Sequence, residues 1–306
     1  MPNATNPATT IPFALQPRNI YNWSIPAGQA VTSARPLEEV RDFVGKIARK
    51  QAASDHDYQL GHLAVNFDQG AAKLFRLIAG PDGKRKQTAP VHFSYHGWKQ
   101  FMRHLGGDVS KSRAMLERLI ASGSAGEKTA AMVVNLLLRD PIVEQKMQKF
   151  RTVMAPYPDG NPRRVVRAVM STSYAAYDNY RYLSDLLDTG YFDNAHVLSL
   201  SISDRHMTCR MTRTRPQEIT MKNPIPCFDI TNSPVGLSSV AIAASLIKLI
   251  CTNGMTSSLV ERYIRMIHSG TTDRLTQKLD DNIQTLYTEH STLLREYRSA
   301  LETQID

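Results

Sequence analysis

The chain has 306 residues, 42% of them hydrophobic and 21% charged, with a net charge of +9 at pH 7. That balance describes a globular chain with ample core. It excludes a membrane span, because the longest apolar stretch, 235–251, is broken by Ser238, Ser239, Ser245 and Lys248, and it excludes a disulfide framework, because Cys209, Cys227 and Cys251 are too few and odd in number. The thiols read as buried groups in a reducing cytoplasm. The first residues lack the basic region and apolar core of a secretory leader.

Residues 1–35 contain Pro2, Pro7, Pro12, Pro17 and Pro26 and no acidic residue, which predicts an extended arm. Ile11, Phe13, Ile20, Tyr21 and Trp23 give the arm apolar anchors for docking on a partner or a neighbouring subunit; the competing reading is packing within its own chain. A single α+β domain is expected over 36–270, followed by a C-terminal helix over 271–306. Its first helix runs from Pro36 to about Gln51, with Glu38 and Glu39 in the first turn and Arg49 and Lys50 in the last. Alternation around Leu63, Val65 and Phe67, and again around Leu74, predicts two short strands. Pro81-Asp82-Gly83-Lys84 reads as a turn. Apolar residues at three- and four-residue spacing predict helices near 95–105, 110–121 and 128–138, a helical subdomain over 95–140.

The pattern then becomes β. Stretches 146–155 and 163–170 flank a loop dense in Pro, Gly and Asn and predict a hairpin. A helix over 178–187 ends at Gly190, and a second hairpin follows over 196–203 and 205–214. The run Gly236–Cys251 fits both the helical and the strand period. The last helix carries a stripe of Leu275, Leu279, Ile283, Leu286, Leu293, Leu294, Tyr297 and Leu301. The whole predicts a twisted, mainly antiparallel sheet over 145–255, with helices on one face, a helical insertion and a long C-terminal helix.

Sites of chemistry are sparse. His92 and His96 stand four apart, with His104 following, yet no glutamate sits between them to act as a base. Asp55-His56-Asp57 with His62 resembles a cation site but reads more simply as a solvated loop after the first helix. Asp178 with Asp204, or Asp185 with Asp188, offers carboxylate pairs whose spacing demands nothing. No cofactor or metal is called for, and a non-enzymatic protein is expected.

Positive charge is clustered. Lys146, Lys149, Arg151, Arg163, Arg164 and Arg167 are opposed within their stretch only by Asp159. Arg205, Arg210, Arg213, Arg215 and Lys222 are opposed only by Glu218. Alternation places Lys149 with Arg151 on one face, Arg163 and Arg167 with Val165 on another, and Met207, Cys209 and Met211 in line with Arg213 and Arg215. A basic rim of this kind suits a phosphate backbone; the competing reading is a solvated face. Tyr174, Tyr177 and Tyr180 recur every three residues beside these cations. On a helix they would share a side, either to stack on bases or to pack on the core.

Two bends frame the most distinctive run. Asn232 to Gly236 forms one, and Asn253-Gly254 forms another that should need positive φ. The stretch Asn232-Ser233-Pro234-Val235-Gly236-Leu237-Ser238-Ser239, followed by Cys251-Thr252-Asn253-Gly254-Met255, resembles an uncharacterised family of phage, prophage and plasmid proteins over roughly 168–255. The resemblance implies a bacterial host cytoplasm. The broad build also looks like single-strand annealing proteins of the recombination-mediator superfamily. It implies a single-stranded DNA partner held in a ring or filament of identical subunits, without nucleotide hydrolysis and away from any membrane. A host-interaction or anti-defence protein and a metal-dependent nuclease are the alternatives.

Overall fold

Alternation and turn chemistry along this chain build strands at both ends of a helical insertion, in a computed structural model that describes residues 19–24, 34–80, 84–106, 109–156, 161–215, 225–249 and 256–303. The order begins β1 (Asn19–Ser24), β2 (Arg35–Pro36), α1 (Leu37–Gln51), β3 (Ser54–Gln59), β4 (Leu63–Asp68), β5 (Ala71–Ala79), β6 (Arg85–Gln87) and β7 (Val91–Phe93). It continues through α2 (Tyr95–His104), α3 (Val109–Ala121), α4 (Ser124–Leu138), α5 (Pro141–Glu144), β8 (Met147–Pro156), β9 (Pro162–Ser171) and α6 (Asn179–Asp188). It ends with β10 (His196–Ser203), β11 (Met207–Thr212), β12 (Ile225–Asn232), β13 (Val240–Leu249), β14 (Thr256–Met266) and α7 (Thr272–Thr303). The class is α+β with a long C-terminal helix. The strands build two seven-stranded sheets, where the sequence suggested one. The described residues likewise divide into two compact units, one spanning Gln51–Thr172 and the other taking those of Arg18–Lys50 and of Ser173–Asp306.

In the first unit the strand order is β3-β8-β9-β7-β5-β4, with β6 added to β5 outside that path. Only β7 and β9 run parallel; the other described pairings are antiparallel. Gln69 and Gly70, at φ 49° and 78°, make the tight turn between β4 and β5 that a right-twisted hairpin needs. The helical insertion follows β7. Ser94 caps α2, its Oγ accepting from the Gly97 amide at 3.0 Å. Gly97 itself is required by proximity: a Cβ there would lie 2.3 Å from the Val166 carbonyl oxygen on β9. Trp98 and Phe101 from α2 fill the core beside Phe67, Phe93 and Phe150.

In the second unit the order is β1-β10-β11-β12-β13-β14, all antiparallel, with β2 also on β10. One sheet face supplies Leu200, Met207, Cys209, Met211, Phe228, Ile230 and Ile242 to a core closed by α1, α6 and α7. Arm residues Asn19–Ser24 pair with β10 of their own chain, and Tyr21 packs on Phe43 with ring centroids 4.5 Å apart. The first half of the α7 stripe, Leu275, Leu279, Ile283 and Leu286, is buried in the same core.

Two expectations are corrected here and one open reading is resolved. Asp55-His56-Asp57 is not a loop but part of β3, paired residue by residue with β8. The ambiguous run after Gly236 is a strand, fixed by pairing on both sides. Tyr174 and Tyr177 precede α6 instead of lying on a helix. Asn232 ends β12, and the tight turn follows it: Gly236 has φ 73° and its amide donates to the Ser233 carbonyl at 3.1 Å. Asn253-Gly254 lies outside the described residues, between strands that pair up to Leu249 with Thr256.

Burial of two histidines makes stability depend on pH. His290 on α7 contacts the Ser245 carbonyl oxygen at 3.3 Å, and burial holds its pKa below 6.5, partly offset by that contact. His104 is depressed in the same sense by burial, with the nearby Lys146 and Arg103 charges adding to it. Both folded pKa values lie below the unfolded value, so the unfolded chain takes up protons first. Stability is complete above about pH 6.5 and declines as pH falls through the interval down to the folded pKa values. Melting of the parent and of His104→Gln/His290→Gln between about pH 7.5 and pH 5 checks this, because the interval brackets the ordinary histidine pKa. The double variant should show the shallower decline; equal slopes would assign the decline to other groups.

Candidate nucleic-acid interface

On β8, alternation puts Phe150 and Thr152 on one face and Lys149 and Arg151 on the other. The facing strand breaks this pattern. Arg151 opposes Ala168 and Thr152 opposes Val166, so Arg167 is the extra residue of a β-bulge and leaves the face it was expected to share with Arg163 and Val165.

The bulge and the pairing bury two of the six cations. Arg151 is 2% exposed, with its Nε 3.6 Å from the Asp55 carboxylate across β3. Arg167 is 6% exposed and donates to Gln51 Oε1 at 3.1 Å. Neither is presented to a phosphate; both were expected to be. Lys146, Lys149 and Arg163 are half-buried, and the Lys146 ammonium donates to the His104 carbonyl at 3.5 Å. Arg164 is the exposed one. Its guanidinium donates to Ser54 Oγ at 2.7 Å and Thr152 Oγ1 at 3.0 Å, two neutral acceptors that fix its direction without cancelling its charge.

The second cluster lies in the other unit. Arg210 faces away from the core, but Asp229 sits directly opposite on β12. The two form a bidentate pair at 2.6 and 3.1 Å, with Ser245 Oγ also donating to the carboxylate at 3.3 Å. Donation to Asp229 raises the Arg210 pKa and spends its charge within the protein. Arg213 and Arg215 were expected to continue the face of Met207, Cys209 and Met211; β11 ends at Thr212, so they lie beyond the strand, exposed. Arg213 donates to the Tyr287 hydroxyl and stands 5.2 Å from that ring's centroid. Arg205 is half-buried, and its carbonyl accepts from Ser233 Oγ at 2.7 Å.

The tyrosines belong to the core. Tyr174 donates to the Ser233 carbonyl at 2.9 Å and stacks on His268. Tyr177 is fully buried and donates to Asp185 Oδ2 at 2.6 Å. Base stacking by these two rings is therefore replaced by core packing, and only Tyr180, 40% exposed, remains at the surface. Asn232, read from sequence as part of a bend, is fully buried and donates to the Tyr177 carbonyl at 2.8 Å and to Asn179 Oδ1 at 2.9 Å.

The other candidates separate too. His92 is in β7 and His96 in α2, both buried. Among the described residues no three metal-ligating side chains come together. Burial pushes the Cys227 thiol up to about 12 and raises Cys209 as well, which keeps both protonated and unreactive. Lys84, read from sequence only as a turn residue, and Arg85 and Lys86 on β6 are all exposed; three consecutive cations were the available signal of a basic run. No helix among the described residues is long and apolar enough to cross a membrane. Comparison with family models, with curated proteins and with solved structures finds no match to this chain.

Proposed function

We propose that the protein binds single-stranded DNA through its backbone, as a phage or plasmid protein that holds or anneals strands in an oligomer without nucleotide hydrolysis. The observation that carries this reading is Arg164: an exposed guanidinium, aimed by two neutral hydroxyls. Arg163 is its chain neighbour at the same end of β9, and the excess of nine positive charges supplies long-range attraction. Counterion release makes such binding steeply salt-dependent, at about 0.7 logarithmic units per neutralised phosphate on a single strand.

Arg163→Gln/Arg164→Gln should weaken single-stranded DNA binding severalfold and lower the salt slope by about 0.7, the value for the one phosphate that Arg164 leaves without a cation. Titration of a fluorescent oligonucleotide at several salt concentrations reads both. A folded variant with the parent's affinity and slope would sink the assignment. Arg167 is left out of the variant because its burial makes it a fold residue. Light scattering with and without the oligonucleotide tests the oligomer; a monomer in both conditions would remove the annealing reading.

A protein-binding role is the second reading. Met132 and Leu136, one turn apart on α4, are 58% and 64% exposed, and Ile142 on α5 is 76% exposed. A parent protein that ignores every oligonucleotide would favour it.

A further inference from the structure

We propose that the β5–β6 ribbon is a groove-inserting contact for duplex nucleic acid, a site separate from the single-strand contact at Arg163 and Arg164. The inference goes beyond the single-strand reading and shares with it only the premise that the partner is a nucleic acid.

The ribbon starts from pairing. Among the described residues β6 pairs with β5 alone, through Leu77 with Gln87, Ile78 with Lys86 and Ala79 with Arg85. The Gly80 amide closes its end by donating to the Lys84 carbonyl at 2.7 Å, and the Thr88 amide continues the ladder by donating to the Arg76 carbonyl at 2.9 Å. Both faces are largely open: Arg76, Ile78, Ala79, Lys84, Arg85, Lys86 and Gln87 are exposed, and Leu77 is half-buried. A strand covering a core would bury every second residue, and this ribbon does not.

Charge then follows the pleat. Lys86 and Arg76 lie on one face, Arg85 lies on the other, and Lys84 directly precedes β6. Within 71–90 the acidic complement is Asp82 alone, against Lys73, Arg76, Lys84, Arg85 and Lys86. Lys73 is already paired with Asp68. A single lysine suffices to protect a sheet edge from pairing with another chain, so protection does not explain three in a row.

Cations on both faces select the partner. A single strand lying along a sheet meets phosphates on one side. A major groove presents them on both walls, and its width of about 12 Å admits a two-stranded ribbon. The exposed Ile78 side chain, 43% accessible, would enter with the ribbon as an apolar contact for base edges.

The test compares three proteins: the parent, Lys84→Gln/Arg85→Gln/Lys86→Gln, and the charge-conserving Lys84→Arg/Arg85→Lys/Lys86→Arg. Each is titrated with a duplex and with a single strand of the same sequence across a salt series. The neutral variant should lose duplex affinity at least tenfold and about 2.7 units of salt slope, the value for three phosphates on duplex DNA at about 0.9 each. Its single-strand affinity should fall by less than threefold, and the charge-conserving variant should match the parent on both. Unchanged duplex affinity in the neutral variant would overturn the inference. Equal losses on duplex and single strand would overturn groove insertion. A parent that binds single strands but no duplex would sink the ribbon and leave the single-strand reading standing; the reverse would sink only the latter. Ribbon-dependent binding to anionic vesicles with no duplex binding would assign the charge to a lipid surface and overturn the inference. Matching melting curves for the three proteins keep these outcomes separate from misfolding.

Discussion

Trp98→Ala is expected to lower stability by about 3–5 kcal/mol, the usual cost of emptying a large aromatic site in a packed core. Trp98 is fully buried on α2. Its ring lies 5.5 Å from Phe67 and 5.6 Å from Phe93, both edge-on, and 5.9 Å from Phe101. These rings come from β4, β7 and α2, so the indole ties two strands to the helix that follows them. Collapse around the void is restricted. Gly97, beside it, already brings the helix so close to the Val166 carbonyl that a Cβ would not fit. The helix cannot sink further to fill the space, and the cost should stay near the upper part of the range. Urea unfolding of both proteins measures it, and Trp98→Phe should recover part of the loss by keeping a ring in the site. A deficit below about 1 kcal/mol would show that the aromatic cluster relaxes freely, against close packing.

Local signals made much of this fold legible. Glu38 and Glu39 in the first turn of α1, Arg49 and Lys50 in its last, and Gly190 after α6 mark helix ends by chemistry that acts within one turn. Leu63, Val65 and Phe67 alternate because β4 buries one face. Strands without that asymmetry were invisible. β3 reads Ser-Asp-His-Asp-Tyr-Gln, and it is a strand because β8 pairs with it. β14 carries Ser257, Ser258, Glu261, Arg262 and Arg265, and its strand character comes from β13. The candidate site failed to read out for a related reason. Cations were counted within short stretches, but Asp55 and Asp229 reach Arg151 and Arg210 across the sheet. Sequence distance hides such neutralisation. The tyrosine spacing misled differently: a period of three suggests a helix face, yet α6 begins only at Asn179, after Tyr174 and Tyr177 have turned into the core.

Asp185→Ala is expected to cost about 3 kcal/mol, through lost charge-assisted hydrogen bonds and a stranded hydroxyl. The Asp185 side chain on α6 is nearly inaccessible and accepts from three directions. Tyr177 Oη donates at 2.6 Å, Thr276 Oγ1 at 2.5 Å and Arg181 Nε at 2.7 Å. Tyr177 precedes the helix and Thr276 belongs to α7, so a single carboxylate joins α6 to the segment before it and to the C-terminal helix. The partners differ in what they lose. Arg181 is half exposed and regains water, as does much of an exposed ion pair's energy. Tyr177 is fully buried, and burial together with the carboxylate raises the pKa of its phenol, so it stays a donor needing an acceptor. Most of the cost should therefore follow the Tyr177 hydroxyl. Tyr177→Phe alone should cost about 1–1.5 kcal/mol, because Asp185 keeps its other donors. The combined Asp185→Ala/Tyr177→Phe protein should then be more stable than the sum of the single losses implies, since it carries no stranded hydroxyl. Chemical denaturation of the four proteins in this cycle gives the coupling directly. Strict additivity would mean that the hydroxyl finds another partner once the carboxylate is gone, and that the contact with Thr276 holds α7 in place instead.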